Sequence, residues 1–181
     1  MPLRPIAYSE TGVVSAVDAA RLNDVLSEHY WGDTEVDMAV LVVLFGSLLI
    51  YRGLGAAGVV SLQSWLHCAR FALSTMFLFT AIAHFTSTRK DMIAMVPPSF
   101  PQPGLLVTIT GFLEAAGAIG LLLVPTRQWA AWGLILLMLA MFPANISAAR
   151  RGVQMRGRAP TPLWIRTPMQ SLFIAWAWWV R

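Results

Sequence analysis

A single carboxyl group stands in the middle of a long apolar run. Residues 104–125 read GLLVTITGFLEAAGAIGLLLVP, and Glu114 is the only ionisable residue among them. A helix of this length, at about 1.5 Å rise per residue, spans roughly 30 Å, the thickness of the hydrocarbon core of a bilayer. A carboxyl at that depth is costly unless it has a partner or faces a wet cavity. Glu114 therefore indicates a polar site inside a helix bundle. The alternative is a protonated acid buried in tight helix packing.

Small residues surround Glu114 on the expected helix. Gly111, Gly117 and Ala118 lie at i−3, i+3 and i+4 from it, which places them beside it on the helix surface. Small residues allow a second helix to approach closely. We therefore expect another helix to pack against the face that carries Glu114.

A second apolar segment, residues 65–85, carries an arginine, a serine and two histidines that can share one helix face. His67, Arg70, Ser74 and His84, together with Ala81, follow one another at helical intervals of three, four and seven. A face with these polar residues in an otherwise apolar helix is expected to point into the bundle.

Arg70 is the expected partner of Glu114. From the helical rise, Arg70 lies roughly 8 Å below the outer end of its span, and Glu114 lies roughly 15 Å below the outer end of its own. An arginine side chain can bridge the remaining axial gap of roughly 7 Å. We therefore predict an Arg70–Glu114 ion pair. It either relays charge or only specifies how the two helices pack, since a buried pair is weak evidence for stability.

Three helices bring polar side chains to the opposite, inner end of the bundle. His84 closes the second span, Asn145 lies near the inner end of the fourth, and Arg166 and Gln170 open the last. Unpaired imidazole and amide groups are costly in hydrocarbon, so they should satisfy one another, water or a bound headgroup. We predict that the histidine and the two amides line one pocket, capped by the proline-rich segment 97–103. The alternative for the histidine is an ordinary position at the membrane interface.

Metal and thiol chemistry find little support in the sequence. His67 and His84 are seventeen residues apart on one helix, which is roughly 25 Å, so they cannot ligate one haem together. No HxxxH, HExxH or cysteine pair occurs, so no metal site is expected. Cys68 is the only cysteine, which excludes an intramolecular disulfide, and we expect it to be a small apolar residue in a helix.

The composition is that of a polytopic membrane protein. The chain is 57% hydrophobic and 12% charged, whereas soluble domains carry about 25% charged residues. After Met38 only Asp91 and Glu114 are acidic, against eleven arginines and lysines. These basic residues lie beside apolar spans, so they indicate membrane topology and a lipid bilayer as partner, with no nucleic acid.

Five apolar segments predict an all-α fold with five membrane-spanning helices. Val36–Tyr51 is short for a span, so the first helix is expected to extend into residues 53–60, with Arg52 snorkelling or facing protein. Thr167 as N-cap and Pro168 as first helical residue are expected to begin the last helix.

Prolines interrupt two regions of this pattern. Pro143 should kink the fourth helix. The prolines within 97–103 exclude a continuous helix there, although residues 91–96 can form one short amphipathic turn. The predicted organisation is an N-terminal cytoplasmic or interfacial segment, an additional transmembrane helix and a four-helix membrane domain, at residues 1–34, 35–62 and 63–181.

The arginines predict the orientation. The loop 150–167 holds five of them, so it is cytoplasmic by the positive-inside rule. With five spans the N-terminus is then also cytoplasmic, Arg89 lies inside, and Arg127 and Arg181 lie outside. We expect a multi-pass protein of the bacterial cytoplasmic (inner) membrane.

Several short motifs, by their order and spacing, resemble the DoxX-like membrane protein family. They are AHF (83–85), MVPPSFPQP (95–103), GFLEAAGAIGLLLVP (111–125), AAWGLILLMLAMFPANI (130–146) and RTPMQSLFIAWAWW (166–179). The resemblance covers about residues 65–181 and implies a four-helix membrane bundle. The family positions matched in this chain are Arg70, His84, Glu114, Pro143, Asn145, Arg166 and Gln170.

Two functions are compatible with these patterns. The first is a redox-associated membrane protein that binds a quinone-like or lipid headgroup, with a quinone as the candidate cofactor. This is in line with the quinone-coupled or thiol-redox roles that the resemblance implies. Its candidate ligand-binding residues are His84, Glu114, Asn145, Gln170, Arg166 and Arg70. The second is a non-catalytic accessory or assembly subunit of a larger membrane or redox complex. A small transporter is disfavoured because no inverted repeat is visible.

Overall fold

The computed structural model describes residues 35–154 and 161–181, with the side chains of residues 35–37 left aside. Over these ranges the secondary structure is entirely helical, with six α-helices and one short 3₁₀ turn, Val60–Leu62. The α-helices are α1 Glu35–Ala56, α2 Trp65–Ala83, α3 Arg89–Met95, α4 Pro103–Leu122, α5 Arg127–Arg151 and α6 Leu163–Val180. The predicted all-α class is confirmed.

Four of these helices are long and apolar enough to cross a membrane. They are the segments Met38–Ala56, Trp65–Ala83, Pro103–Leu122 and Arg127–Arg151. Large apolar side chains on their surfaces are exposed, as expected of helices that face lipid, for example Val42, Leu136 and Phe112. The described part of the chain is therefore compatible with a multi-pass membrane protein.

Helix α2 lies at the centre of the helix packing. It contacts α1 on one side and α4 on the other, α4 packs on α5, and α5 packs on α6, which returns to α2. The shared core contains Leu73 and Met76 of α2, Leu121 of α4 and Leu134 of α5, each at most 1% exposed. This cyclic packing leaves an interior between α2, α4, α5 and α6.

Hydrogen bonds between helices fix the register of this packing. Ser74 Oγ donates to the Ala118 carbonyl at 2.7 Å and ties α2 to α4. Trp176 Nε1 donates to the Ala69 carbonyl at 3.2 Å and ties α6 to α2. A buried hydroxyl or indole N–H without a partner would be costly in an apolar interior, so these bonds favour one relative position of the helices.

The first helix extends as expected. It continues past Tyr51 to Ala56, and the Arg52 guanidinium lies 5.0 Å from the ring centroid of Trp65. An arginine near a helix end is thus accommodated against an aromatic face of α2.

The proline-rich connection also follows the prediction. A short helix, α3, occupies Arg89–Met95, which includes most of the expected turn at 91–96. The guanidinium of Arg151, at the end of α5, donates through Nη2 to the carbonyls of Ala94, Met95 and Val96 at 2.7–3.0 Å. Arg151 therefore holds the end of α3 and the start of the proline-rich segment against α5.

The expected start of the last helix is wrong. Helix α6 begins at Leu163, and Pro168 lies inside it. The Pro162 carbonyl accepts from the backbone N–H groups of Ile165 and Arg166 at 3.0 and 3.1 Å, so a helical turn already exists before Thr167. A proline in a helix removes one backbone donor and need not end the helix when tertiary packing supports the turn before it. Similarly, α5 continues through Pro143 to Arg151.

Two sequence predictions lie outside the described residues. These are the cytoplasmic or interfacial segment 1–34 and the middle of the basic loop, residues 155–160.

Candidate functional site

A cavity of about 600 Å³ lies between α2, α4, α5 and α6. It brings together five of the six residues singled out from the sequence: His84, Glu114, Asn145, Arg166 and Gln170. The rest of its wall is mostly methionine, phenylalanine, valine and alanine side chains. Pro97 and Phe100 also line it, so the proline-rich segment closes one side of the cavity in the way its position predicted.

His84 and Glu114 form the polar centre of one wall. His84 follows the last residue of α2 and is 6% exposed, and Glu114 lies in the middle of α4 and is 4% exposed. His84 Nε2 lies 3.5 Å from Glu114 Oε1. The hydroxyl of Thr80, one turn before His84, donates to Glu114 Oε2 at 2.7 Å. The buried carboxyl is thus partnered on both oxygens.

The backbone of α4 determines which nitrogen of His84 carries a proton. His84 Nδ1 lies 2.8 Å from the Val107 carbonyl. A carbonyl oxygen only accepts hydrogen bonds, so Nδ1 donates and Nε2 is left facing Glu114. A proton between the two side chains can reside either on Nε2, giving an ion pair, or on the carboxyl, giving a neutral pair. The two side chains therefore share one proton position at the cavity wall.

A glycine allows this approach. Gly111 packs directly against His84, and a Cβ at this position would lie 2.7 Å from the His84 Cβ and 3.0 Å from its Cγ. The sequence prediction that another helix packs closely on the small residues around Glu114 is confirmed. Gly111 and Ala118 face α2, whereas Gly117 packs against Leu134 of α5. Gly111 is the residue that lets His84 reach the level of the carboxyl.

A second polar group lies on α5 and α6. Arg166 Nη1 donates to Asn145 Oδ1 at 2.9 Å. Gln170 Nε2 donates to the Met138 carbonyl at 3.0 Å, and its Oε1 lies 3.5 Å from Asn145 Nδ2. Two amides and a guanidinium are thus arranged along one wall, which is the combination of hydrogen-bonding groups expected to orient a polar headgroup.

The predicted Arg70–Glu114 ion pair is wrong. Arg70 Nε donates to the Val180 carbonyl at 2.7 Å, whereas Glu114 contacts Thr80 and His84. In the observed register Arg70 precedes Thr80 by ten residues, roughly 15 Å along α2, which is beyond the reach of its side chain. Arg70 instead lines a separate cavity near the end of α4. The sequence prediction estimated the depth of each side chain from the end of its own helix. It missed the axial offset between Arg70 and Glu114 because it assumed that the ends of α2 and α4 lie at the same level.

Sequence reasoning missed Thr80 as a partner of Glu114. The spacing could have indicated it, since Thr80 precedes His84 by four residues and therefore shares its helix face. The contact of His84 with the Val107 carbonyl could not be predicted, because every residue has a backbone carbonyl.

The structure also gives positions for the groups considered for metal and thiol chemistry. In the part of the chain that the structure describes, no three His, Cys, Asp or Glu side chains gather as potential metal ligands. Cys68 is fully buried in α2, and its thiol donates to the Leu62 carbonyl at 3.1 Å. Its position as a small buried residue in a helix is confirmed.

Comparison with known proteins gives one match. Residues 73–181, from the middle of α2 to the last residue, match DUF8561, a family described as a domain of unknown function. Neither a curated protein nor a solved structure matches the chain. The match covers more than half of the sequence and includes His84, Glu114, Asn145, Arg166 and Gln170, so the chain belongs to the DUF8561 family.

Proposed function

We propose that this protein is a redox-associated protein of the bacterial cytoplasmic membrane, and that the cavity between α2, α4, α5 and α6 binds a quinone-like or lipid headgroup. The observation that carries the proposal is the pairing of an apolar cavity with two separate polar groups. One is the His84–Glu114 pair, and the other is formed by Asn145, Arg166 and Gln170. The protein is an enzyme if the bound headgroup reacts in the cavity, and a binding protein if the headgroup is only held there.

The size and polarity of the cavity favour such a ligand. Small-molecule sites are typically about 300–1,000 Å³, mostly apolar, with a few placed polar groups, and this cavity of about 600 Å³ has that character. A quinone headgroup is a flat apolar ring with two carbonyl oxygens on opposite sides. Donors on two walls of the cavity suit that distribution, and the His84–Glu114 pair on one of these walls can contact a carbonyl oxygen of the ring.

The same proposal includes a five-span, DoxX-like arrangement. Four helices qualify as spans by length and composition, and the 18-residue α6 is roughly 27 Å long at the helical rise, nearly enough to cross. Its packing between α5 and α2 supports a place within the same bundle. By the distribution of arginines, the end that carries Arg89 and Arg151 faces the cytoplasm, and so does the N-terminus.

Extraction of the purified protein tests this proposal directly. Protein isolated in mild detergent should yield quinone in its lipid extract, measured by mass spectrometry against the detergent-solubilised membrane. His84→Ala and Asn145→Ala should lower that content, because each removes a hydrogen-bonding group of the cavity. His67→Ala is the matched control, since His67 is an exposed histidine near the start of α2, at the other end of that helix from His84. Wild-type protein that holds no quinone and binds no added analogue would contradict the proposal.

An accessory role is the second candidate. Exposed tryptophans on α6, Trp164, Trp178 and Trp179, form a surface that can contact another membrane subunit as well as lipid. Crosslinking and co-purification from native membranes distinguish the two functions. A stoichiometric partner with an empty cavity supports the accessory role, whereas a monomer with bound headgroup contradicts it.

A further inference from the structure

A second cavity lies at the other end of α2, and two arginines and a histidine line it. Its volume is about 220 Å³, and His67, Arg70 and Arg127 line it together with Ser61. His67 and Arg70 are in the first two turns of α2, and Arg127 is the first residue of α5. His84, which lines the larger cavity, follows the opposite end of α2, so the two cavities are separate.

The two arginines and His67 share one pattern of hydrogen bonding. Each uses the nitrogen nearest its backbone to contact a carbonyl: Arg70 Nε with Val180 at 2.7 Å, Arg127 Nε with Leu121 at 3.3 Å, and His67 Nδ1 with Ser61 at 3.0 Å. The side chains are thereby oriented, and their outer nitrogens make no hydrogen bond to a described residue. Oriented guanidinium groups with unused terminal donors are suited to bidentate recognition of oxyanions.

Among the described residues, no carboxylate balances the charges of the arginines at this cavity. Arg70 is only 7% exposed, yet none of the three side chains forms an ion pair with a described carboxylate. A buried guanidinium is costly without a counter-charge, and Arg127 beside it adds repulsion. An anion between the two arginines would offset both costs.

We propose that this second cavity is a binding site for a phosphate-type oxyanion. Arg70 and Arg127 contact its oxygens through their terminal nitrogens, and His67 contacts it through Nε2. Both a lipid phosphate headgroup and free inorganic phosphate have this chemistry. The site is distinct from the cavity that contains His84 and does not depend on what that cavity binds.

Thermal unfolding in neutral detergent tests the proposal with inorganic phosphate as the probe. Unfolding is followed by a thiol-reactive fluorophore at Cys68, the only cysteine and fully buried. Phosphate should raise the unfolding temperature above that in chloride of equal ionic strength, because it binds only the folded state. Arg127→Gln should weaken the apparent affinity by roughly tenfold or more, as expected for the loss of charge-assisted hydrogen bonds. Arg127 is half-buried, so this variant is expected to fold even if Arg70→Gln does not.

The control variant is Arg150→Gln, which removes the same charge from an exposed arginine at the end of α5 opposite Arg127. It should retain the full phosphate-dependent shift. Native mass spectrometry of protein exchanged into phosphatidylglycerol or phosphatidylcholine separates the two sources. Selective retention of phosphatidylglycerol, lost in Arg127→Gln, supports a lipid phosphate, whereas a phosphate shift without lipid retention supports the free ion. The proposal is overturned if Arg127→Gln matches the wild type in both measurements, or if neither measurement shows binding by the wild type.

Discussion

Glu114 shows how one side chain in the middle of an apolar helix can be accommodated. Its two oxygens contact the hydroxyl of Thr80 and the imidazole of His84, and these contacts offset the free-energy cost of burying the carboxyl. His84 is itself held by the Val107 carbonyl, which leaves one nitrogen for the carboxyl. The three side chains of Thr80, His84 and Glu114 therefore act as one hydrogen-bonded unit.

A double-mutant cycle measures the coupling free energy between His84 and Glu114. His84→Gln and Glu114→Gln should each lower stability, and the double variant should cost less than the sum, with a coupling of about 0.5–3 kcal/mol. The reason is that the first substitution already removes the shared contact. The measurement is unfolding in detergent. The comparison cycle pairs Arg70→Gln with Glu114→Gln, which should be additive within about 0.5 kcal/mol because these side chains do not touch. Coupling in the second cycle and none in the first would contradict the observed register.

Gly111 offers a steric test at the same site. Gly111→Ala places a Cβ 2.7 Å from the His84 Cβ, so we expect a loss of about 1–3 kcal/mol in the free energy of unfolding, as in other overpacked sites. The headgroup binding that we propose should also weaken, since His84 must move. Gly133→Ala is the control, because nothing lies within 4 Å of a Cβ at that position on α5. Its stability should be unchanged or slightly higher, since alanine favours helix. Equal effects of the two substitutions would show that the α2–α4 contact is looser than described.

Among the helices, two arginines connect helix ends to their neighbours. Arg89 donates to the carbonyls of His84 and Gly104 at 3.2 and 2.9 Å, which joins the end of α2 to the start of α4. Arg151 joins the ends of α5 and α3. Helix C-termini carry carbonyls without helical partners and a partial negative charge. Arg89 donates to such a carbonyl at His84, and Arg151 donates to those at the end of α3. The basic residues near the proline-rich segment thus have a structural role beyond topology.

The contact of Arg151 predicts the mobility of that segment. Arg151→Gln removes the guanidinium from three carbonyls, so amide hydrogen exchange in residues 89–103 should accelerate by roughly tenfold or more. Arg150→Gln, at the adjacent and exposed position, is expected to leave the exchange unchanged. Unaltered exchange in Arg151→Gln would mean that the proline-rich segment is held by its packing alone.

Across the molecule, apolar residues cover the sides of the bundle and basic residues gather near the helix ends. Side chains such as Leu49, Ile82 and Ile119 are more than half exposed, which would be unfavourable in water and is normal against lipid. The two cavities near opposite ends of α2 differ in chemistry. One combines apolar walls with a carboxyl, and the other is cationic.

Cysteine labelling tests the membrane arrangement of this molecule. Single cysteines at Gln128 and Gln154, introduced with Cys68→Ser, should react from opposite sides of the membrane, with position 154 cytoplasmic. The two positions flank α5, a candidate span. Serine keeps the hydrogen bond to the Leu62 carbonyl, so the background variant should fold. Equal labelling of both positions by an impermeant reagent added outside would contradict the proposed five-span topology.

The fold class and most of the helices follow from the order of residues along the chain. Long apolar runs admit only helices that satisfy their own backbone groups, so α1, α2, α4 and α5 are predictable from composition and length. Periodicity places His84 on an inward face. Thr80 shares that face, four residues earlier, although it was not among the predicted site residues. The proline-rich segment is recognisable because proline excludes a continuous helix. The extent of a helix and the side chains that share its inward face are therefore predictable from the residues of that helix.

Contacts between helices, in contrast, depend on the tertiary packing. Arg70 and Glu114 are separated because the register of α2 on α4 is set by a few contacts, including Ser74 with Ala118 and His84 with Gly111. The start of α6 at Leu163 likewise depends on packing that supports a turn before Pro168. If one helix slides along its neighbour by two turns, the sequence periodicity of each helix is unchanged, but every side chain contacts a different residue of the other helix. Periodicity fixes which face of a helix points inward, whereas axial register depends on side chains that both helices contribute at once.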